Sequence, residues 1–498
     1  MNYLDLFKLA LPETIIVLTA FAVLIADVSM REMGTRLRFL IGSMIGSLGC
    51  AVAIFWMLIH PENAGSPGGF LVADPLTQLI KIGILALTIL TVLLSNDSDF
   101  TEHVGEYFAL ILLAAAGMMF LVSAEDILMI FIALELTSLS LYILTAFNKR
   151  NLKSAEAALK YFLFGSLAAA FMLFGLSLVY GVSGATNLHA IAASLAGKGL
   201  DPLLTVAIVM VVIGFGFKVA AVPFHLWAPD AYEGAPAPSA AFIASGSKVA
   251  GFFIFAKFLM IGFAGGELAG SGAWRQFVSG WIPVIAIVAA LSMILGNLAA
   301  MVQSSVRRLL AYSAIAHAGY ALLGIAANSE PGIASLVYYV LTYGLTTVGA
   351  FGVVAVVEQR MGGDKLSDFA GLSRRAPVVS FCMFVFMLSL AGIPPLAGFF
   401  GKFYVFASAL KSGENLGLLW LVILAIAMSA VSLYYYLQVL KRIYVFDPPE
   451  GSGTLKVSPL LQVVLSLIAF SVVALGCAPS LILQFIEHAL AQVGVRGG

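Results

Sequence analysis

Apolar residues in this 498-residue chain come in long, unbroken runs. About fourteen runs begin near positions 9, 39, 75, 107, 127, 155, 203, 238, 277, 309, 333, 378, 417 and 459. A hydrocarbon core about 30 Å thick takes roughly 20 helical residues to cross. Each run therefore predicts one membrane-spanning helix. The runs do not alternate with period two, which argues against a closed barrel. The expected fold is an all-α integral membrane protein.

Composition sharpens this reading. Hydrophobic residues make up 61% and charged residues 10%, and the mean hydropathy is +1.03. Little chain is left between runs for a soluble domain. The formal net charge is zero, so no bulk polarity points to nucleic acid. Cys50, Cys382 and Cys477 fall in separate runs without a CxxC or a nearby His, a pattern of packing residues and not of metal or iron–sulfur ligands. Lys8 and Asp5 precede the first run, which is too long and wrongly flanked for a cleaved signal, so it reads as the first span.

Charge also orients the spans. With the N-terminus outside, the odd-numbered connections hold most basic residues, among them Arg36, Arg150, Arg307, Arg308 and Arg374. The opposite side holds only Lys8, Lys198, Arg275, Lys411 and Arg496. The positive-inside rule then puts both termini on the outer face. Two inner connections are acidic, with Asp97, Asp99, Glu102 and Glu106 in one and Asp230 and Glu233 in the other. Insertion gives no reason for them, and a partner protein there is one reading.

Charges inside the runs carry the candidate chemistry. A charge at the bilayer centre costs about 2.5–3.5 kcal/mol on the insertion scale, and such residues commonly handle ions or protons. Glu135 lies nine residues past Asp126, roughly 13 Å deep. It reads as a proton carrier, a partner for a lysine, or a structural hydrogen bond. Lys218 precedes Pro223 and His225, with Gly214 and Gly216 before it. A proline there breaks the helix, and freed carbonyls at membrane depth must line a cavity or be buried in protein. Lys248 follows Ser245, Gly246 and Ser247, small residues that admit a close helix or water. Lys402 follows Pro394 and Pro395 in a second broken run. His317, inside the tenth run, can relay protons or simply pack. Lys160 follows Glu156 by four residues, so an ordinary ion pair explains it as well as an ion path does. Lys81 and Lys257 lie near span ends and read as snorkelling.

The broken runs are the seventh and twelfth, five apart, and Glu135 and His317 sit on the fifth and tenth. An odd number of spans per unit inverts the second copy. The division this suggests is residues 1–106 for three leading spans, 107–263 for a first repeat of helices 4–8, 277–440 for an inverted repeat of helices 9–13, and 441–498 for the last helix.

Three stretches, GFGFKVAAVPFHLWAPDAYEGAPAPSAAFIASGSK, SSVRRLLAYSAIAHAGY and LSLAGIPPLAGFFGKFYVF, carry a family likeness. They resemble the antiporter-like membrane subunits of respiratory complex I, and the likeness runs from the first helix to the fourteenth. Among these the chain most resembles the N type, the counterpart of mitochondrial subunit 2. Lys402 stands where the M type has a glutamate, and the chain ends soon after the fourteenth span, without the lateral helix of the L type.

The resemblance implies that Glu135 pairs with Lys218, that Lys248 is the central lysine, and that Lys402 passes protons outward. It gives His225, Lys160 and His317 accessory or connecting places. It also implies a multi-pass protein of the bacterial inner membrane, beside other antiporter-like and small membrane subunits. FMN, iron–sulfur clusters and quinone are expected in those other subunits, and no cofactor in this chain, which has no GxGxxG or haem motif. The expected function is proton translocation coupled to quinone reduction elsewhere. Two alternatives stay open, a multisubunit Mrp-type cation/proton antiporter and a membrane scaffold with merely paired charges.

Overall fold

Short polar side chains start the helices where the apolar runs begin. Asp74, Asp126, Asn151, Asn187, Asp201, Ser305, Ser329 and Ser458 each accept a hydrogen bond from a first-turn backbone N–H. Gly184 and Gly362, at φ 70° and 76°, end the two longest helices in the left-handed region that favours glycine. The computed structural model describes residues 7–60, 64–65, 69–274, 276–412, 417–448 and 453–493. Asp5, Arg275 and Arg496 lie outside the described residues.

The helices of eight residues or more are, in chain order, α1 (Leu11–Ser29), α2 (Thr35–Ile59), α3 (Pro75–Leu94), α4 (Val104–Ser123), α5 (Ile127–Thr145), α6 (Leu152–Ser183) and α7 (Leu188–Leu195). Then come α8 (Pro202–Lys218), α9 (Trp227–Gly234), α10 (Ala237–Ala244), α11 (Gly246–Gly262), α12 (Trp281–Met301) and α13 (Val306–Ala326). The last are α14 (Glu330–Met361), α15 (Pro377–Ala391), α16 (Ala397–Lys411), α17 (Leu419–Tyr444), α18 (Pro459–Cys477) and α19 (Ser480–Val493). Strand pairs Ala64–Gly65 with Val72–Ala73, and Ser271–Ala273 with Gln276–Val278, are antiparallel and lie in connections.

The protein is nearly all helical and crosses the membrane many times. Among the described residues, twelve helical segments are long and apolar enough to span, α10 and α11 counting as one. Pro202–Lys218 and Pro377–Ala391 are shorter apolar helices. Each is followed by a break and a second piece, so the seventh and twelfth runs are discontinuous. Beyond the fourteenth run the structure adds α19, whose Ile486, Ala489 and Leu490 are buried. It packs on α3 and α14.

Connections that the charge pattern assigns to one side meet one another. Glu125 N–H donates to the Phe70 carbonyl at 3.0 Å, and the Glu125 carbonyl accepts from Leu188 N–H at 2.8 Å. At the opposite side Ser305 bridges Lys365. The two acidic connections that the charge pattern puts on the basic side also gain an explanation. Glu102 binds Arg150 at 2.9 Å, Asp230 binds Arg308 at 2.8 Å, and Glu233 binds Lys153 at 2.9 Å. Basic residues of neighbouring elements answer the acids, so no outside partner is required to pair those three.

The core is one continuous cluster running through α14, which touches α3, α10, α11, α13, α15, α16, α18 and α19. One 32-residue helix thus touches helices from early, middle and late in the chain.

Candidate functional site

Three interruptions build the site. The first lies between α8 and α9, where Ala220 sits at φ 55°, a region that non-glycine residues enter rarely. Its backbone groups are taken up individually. Val222 N–H donates to Ser292 Oγ at 2.9 Å, and the Phe217 carbonyl accepts from Trp227 Nε1 at 3.0 Å. The Val219 carbonyl accepts from Lys248 Nζ at 2.7 Å. The second interruption falls at Ser245, between α10 and α11, three residues before Lys248. The third lies between α15 and α16, where Gly392 sits at φ 86° and the Ala391 carbonyl accepts from Lys402 Nζ at 3.0 Å. Two breaks thus offer a carbonyl to a buried lysine, as expected of irregular backbone at membrane depth.

Lys218, Lys248 and Lys402 are 2%, 1% and 4% exposed. Contacts join them in order. The stem of Lys218 packs over Gly251, one turn from Lys248 on α11. Lys248 Nζ also reaches the Ala314 carbonyl at 3.3 Å, one turn from His317 on α13. His317 is held at Nδ1 by the Tyr339 hydroxyl at 2.6 Å and at Nε2 by the Tyr436 hydroxyl at 3.0 Å. Its ring meets Tyr320 edge-on at 5.7 Å, and Lys402 Nζ stands 5.0 Å from the centre of that same Tyr320 ring. Ser429 Oγ accepts from Lys402 at 2.9 Å. The structure therefore brings together Lys218, Lys248, His317 and Lys402.

Glu135 faces this row from α5 but is not bonded to it. Lys218 Nζ instead donates to Ser138 Oγ at 3.1 Å, one turn along the same helix. Glu135 lies within electrostatic reach of Lys218, and its Oε1 is buried without a hydrogen-bond partner.

Lys160 and His225 stand apart from the row. Lys160 makes the sequence-expected pair with Glu156 at 2.7 Å and a second with Asp230 at 2.8 Å. His225 is half-buried, its Nδ1 unpaired, in a groove of about 660 Å³ that Lys160, Asp230, Arg308 and Tyr312 also line. The groove lies beside the first break.

Sequence reasoning missed two groups. Tyr320, Tyr339 and Tyr436 link the lysines, but a phenol inside an apolar run gives no signal. Lys81 and Lys257 do not snorkel. Lys81 is 3% exposed and binds the equally buried Glu13 at 2.7 Å, and Lys257 is 7% exposed beside Glu125. Glu13 inside the first run was the available clue. Cys50 and Cys382 are buried and Cys477 is exposed, all as free thiols. Among the described residues no group of three His, Cys, Asp or Glu could hold a metal ion.

A buried lysine row between broken helices narrows the family to few candidates, and comparison decides among them. The pattern described as NADH:quinone oxidoreductase/Mrp antiporter, TM, matches residues 124–429. NADH-quinone oxidoreductase subunit N 2 of Acidobacterium capsulatum is 50% identical over 98% of this chain and 99% of its own. The chain belongs to the subunit N family of NADH-quinone oxidoreductases. A chain of respiratory complex I from Thermus thermophilus is 33% identical, with a TM-score of 0.77, over 95% of this chain and 98% of that one. A chain of the Mrp complex from Dietzia shares the fold, with a TM-score of 0.78 over 96% of this chain and 97% of that one, but only 21% identity. Subunit N membership thus outweighs the Mrp reading.

Proposed function

We propose that this subunit N carries protons across the bacterial inner membrane, both termini on the outer face, as part of a NADH-quinone oxidoreductase. Redox chemistry, with FMN, iron–sulfur clusters and quinone, belongs to other subunits, and neighbouring antiporter-like and small membrane subunits flank this one. The observation that supports this best is the buried row of lysines, two of them bound to carbonyls at helix breaks. Each can exchange a proton while its neighbours keep it from lipid.

Quinone reduction elsewhere changes the field at one end of the subunit. The Glu135–Lys218 pair then closes or opens. When the carboxylate moves away, the ammonium loses its counter-charge and its proton moves to Lys248, then through His317 and its tyrosines to Lys402, and leaves. A shift of one pKa unit corresponds to about 1.36 kcal/mol, so a few coupled shifts move a useful part of the driving energy. His225 and Lys160, at the inner groove, serve proton entry.

The test is Lys218→Ala in the assembled complex. The expected result is a lower proton-to-electron ratio, and a wild-type ratio overturns the assignment. Co-purification with small cation-antiporter subunits, in place of NADH- and quinone-linked ones, would favour the Mrp reading.

A further inference from the structure

A second charged cluster lies at the outer half, away from the central row. Glu125 occupies the turn between α4 and α5, and its backbone is tied on both sides, to Phe70 and to Leu188. Its Oε1 stands 3.6 Å from Lys257 Nζ on one side and 3.8 Å from His189 Nε2 on the other. Exposure climbs steeply along the three, from 7% at the Lys257 side chain to 16% at Glu125 and 66% at His189. Lys257 Nζ is buried with no hydrogen-bond partner among the described residues, and so is Glu13 Oε2. Asp74 and Lys81 lie within electrostatic reach of Lys257, and Lys81 is itself held by Glu13. Buried polar groups are almost always hydrogen-bonded, and a buried ammonium held by an ion pair as long as 3.6 Å marks a hydrated or functional place.

We propose that Lys257, Glu125 and His189 form an outer proton-exchange arm that opens the first repeat to the outer face. It deepens, and rests on, the reading of this chain as a proton carrier. An N–H bond of the Lys257 ammonium breaks as an O–H bond forms on Glu125. That proton then bonds to His189 Nε2, and the imidazolium releases it to water outside. The gaps of 3.6 and 3.8 Å close by small side-chain movements. Carboxylate neighbours support the assignment, since Glu125 holds the His189 imidazole above its ordinary 6.5, where outer-side pH can act on it.

The experiment measures the proton-to-electron ratio of the assembled complex in vesicles while the outer-side pH is varied. His189→Gln, an exposed change, should remove the pH-dependent step above 6.5 and lower the ratio about two-fold or more. Lys257→Gln should lower the ratio similarly, and so should Lys257→Arg, whose guanidinium keeps the charge but does not give up its proton; rescue by arginine would overturn the arm. If Lys257→Gln prevents assembly, His189→Gln decides alone. An unchanged ratio and pH profile in His189→Gln overturns the arm. Lys248→Ala serves as the reference. A fall there, with no change in His189→Gln, removes only the arm, whereas no change in Lys248→Ala removes the proton-carrier reading itself.

Discussion

One methyl group at Gly398 would run into the Ser389 carbonyl oxygen, and one at Gly476 into that of Pro395. Both glycines sit where neighbouring backbone presses on the third break. Backbone cannot yield as a flexible side chain does, so overpacking of about 1–3 kcal/mol is expected. Gly398→Ala should lower the thermal midpoint of the purified complex, and an unchanged midpoint would mean that the break relaxes freely. Arg307 is a second pressure point. It is 3% exposed, donates through Nε to the Tyr232 carbonyl at 2.9 Å and through Nη1 to both Glu358 oxygens at 3.0 and 3.1 Å, and its Nη2 reaches the Ala235 carbonyl. Arg307→Ala should destabilise by about 1–3 kcal/mol, because it leaves the Tyr232 and Ala235 carbonyls without their donor. Arg307→Lys should recover little of that, since an ammonium lacks the fork. Chemical denaturation in detergent measures both. Residue by residue, the lysine row was legible because charge stands out against apolar sequence. The faces of Lys81 and Lys257 were not, because distance to a span end gives depth but not direction.

At the scale of elements, the breaks decide what the helices can do. Pro223 and Pro395 announced two of them. The interruption at Ser245 carried no proline, and Ser245, Gly246 and Ser247 read only as small packing residues. The short helix α9 is anchored by Trp227, stacked on Tyr161 at 4.0 Å and 3° and bonded to the Phe217 carbonyl. Trp227→Phe keeps a ring but removes the N–H. It should cost about 1 kcal/mol and slow pumping while the complex still assembles, which turnover measured beside melting can resolve. The α4–α5 turn is tied to α7 by charge. Burial opposes the Glu125 carboxylate, yet His189 and Lys257 outweigh it and hold the carboxyl below its usual range. Glu125 in turn holds His189 up, against burial. A raised imidazole contributes stability that is complete below about pH 6.5 and fades as pH climbs through its folded value. The depressed carboxyl contributes above about pH 4.3, its unfolded value, and that part is lost as pH falls through its lower folded value. Amide exchange at residues 187–190, corrected for its intrinsic pH dependence, should therefore quicken at alkaline outer pH. A flat corrected rate would contradict the tie.

For the molecule as a whole, the charge asymmetry implies a testable sidedness. Lys198 and Lys365 are exposed and belong to connections assigned to opposite sides. In a Cys477→Ser background, an impermeant maleimide added outside should label Lys198→Cys and spare Lys365→Cys. The reverse pattern would invert the topology. Multi-pass helical architecture was legible from run length alone. The repeat was visible only as spacing, since no residue-by-residue match supports it, and Lys218 precedes its break while Lys402 follows its own. What no linear reading could supply is the role of α14. Its 32 residues span about 48 Å, and between Glu330 and Glu358 it carries no charged side chain. It does carry Tyr339, Thr342, Tyr343, Thr346 and Thr347, whose hydroxyls both give and accept. Such a helix sets no charge of its own beside the lysine row. What it lends the row is a hydroxyl, that of Tyr339 on His317 Nδ1, so whatever charge passes there belongs to the groups around it.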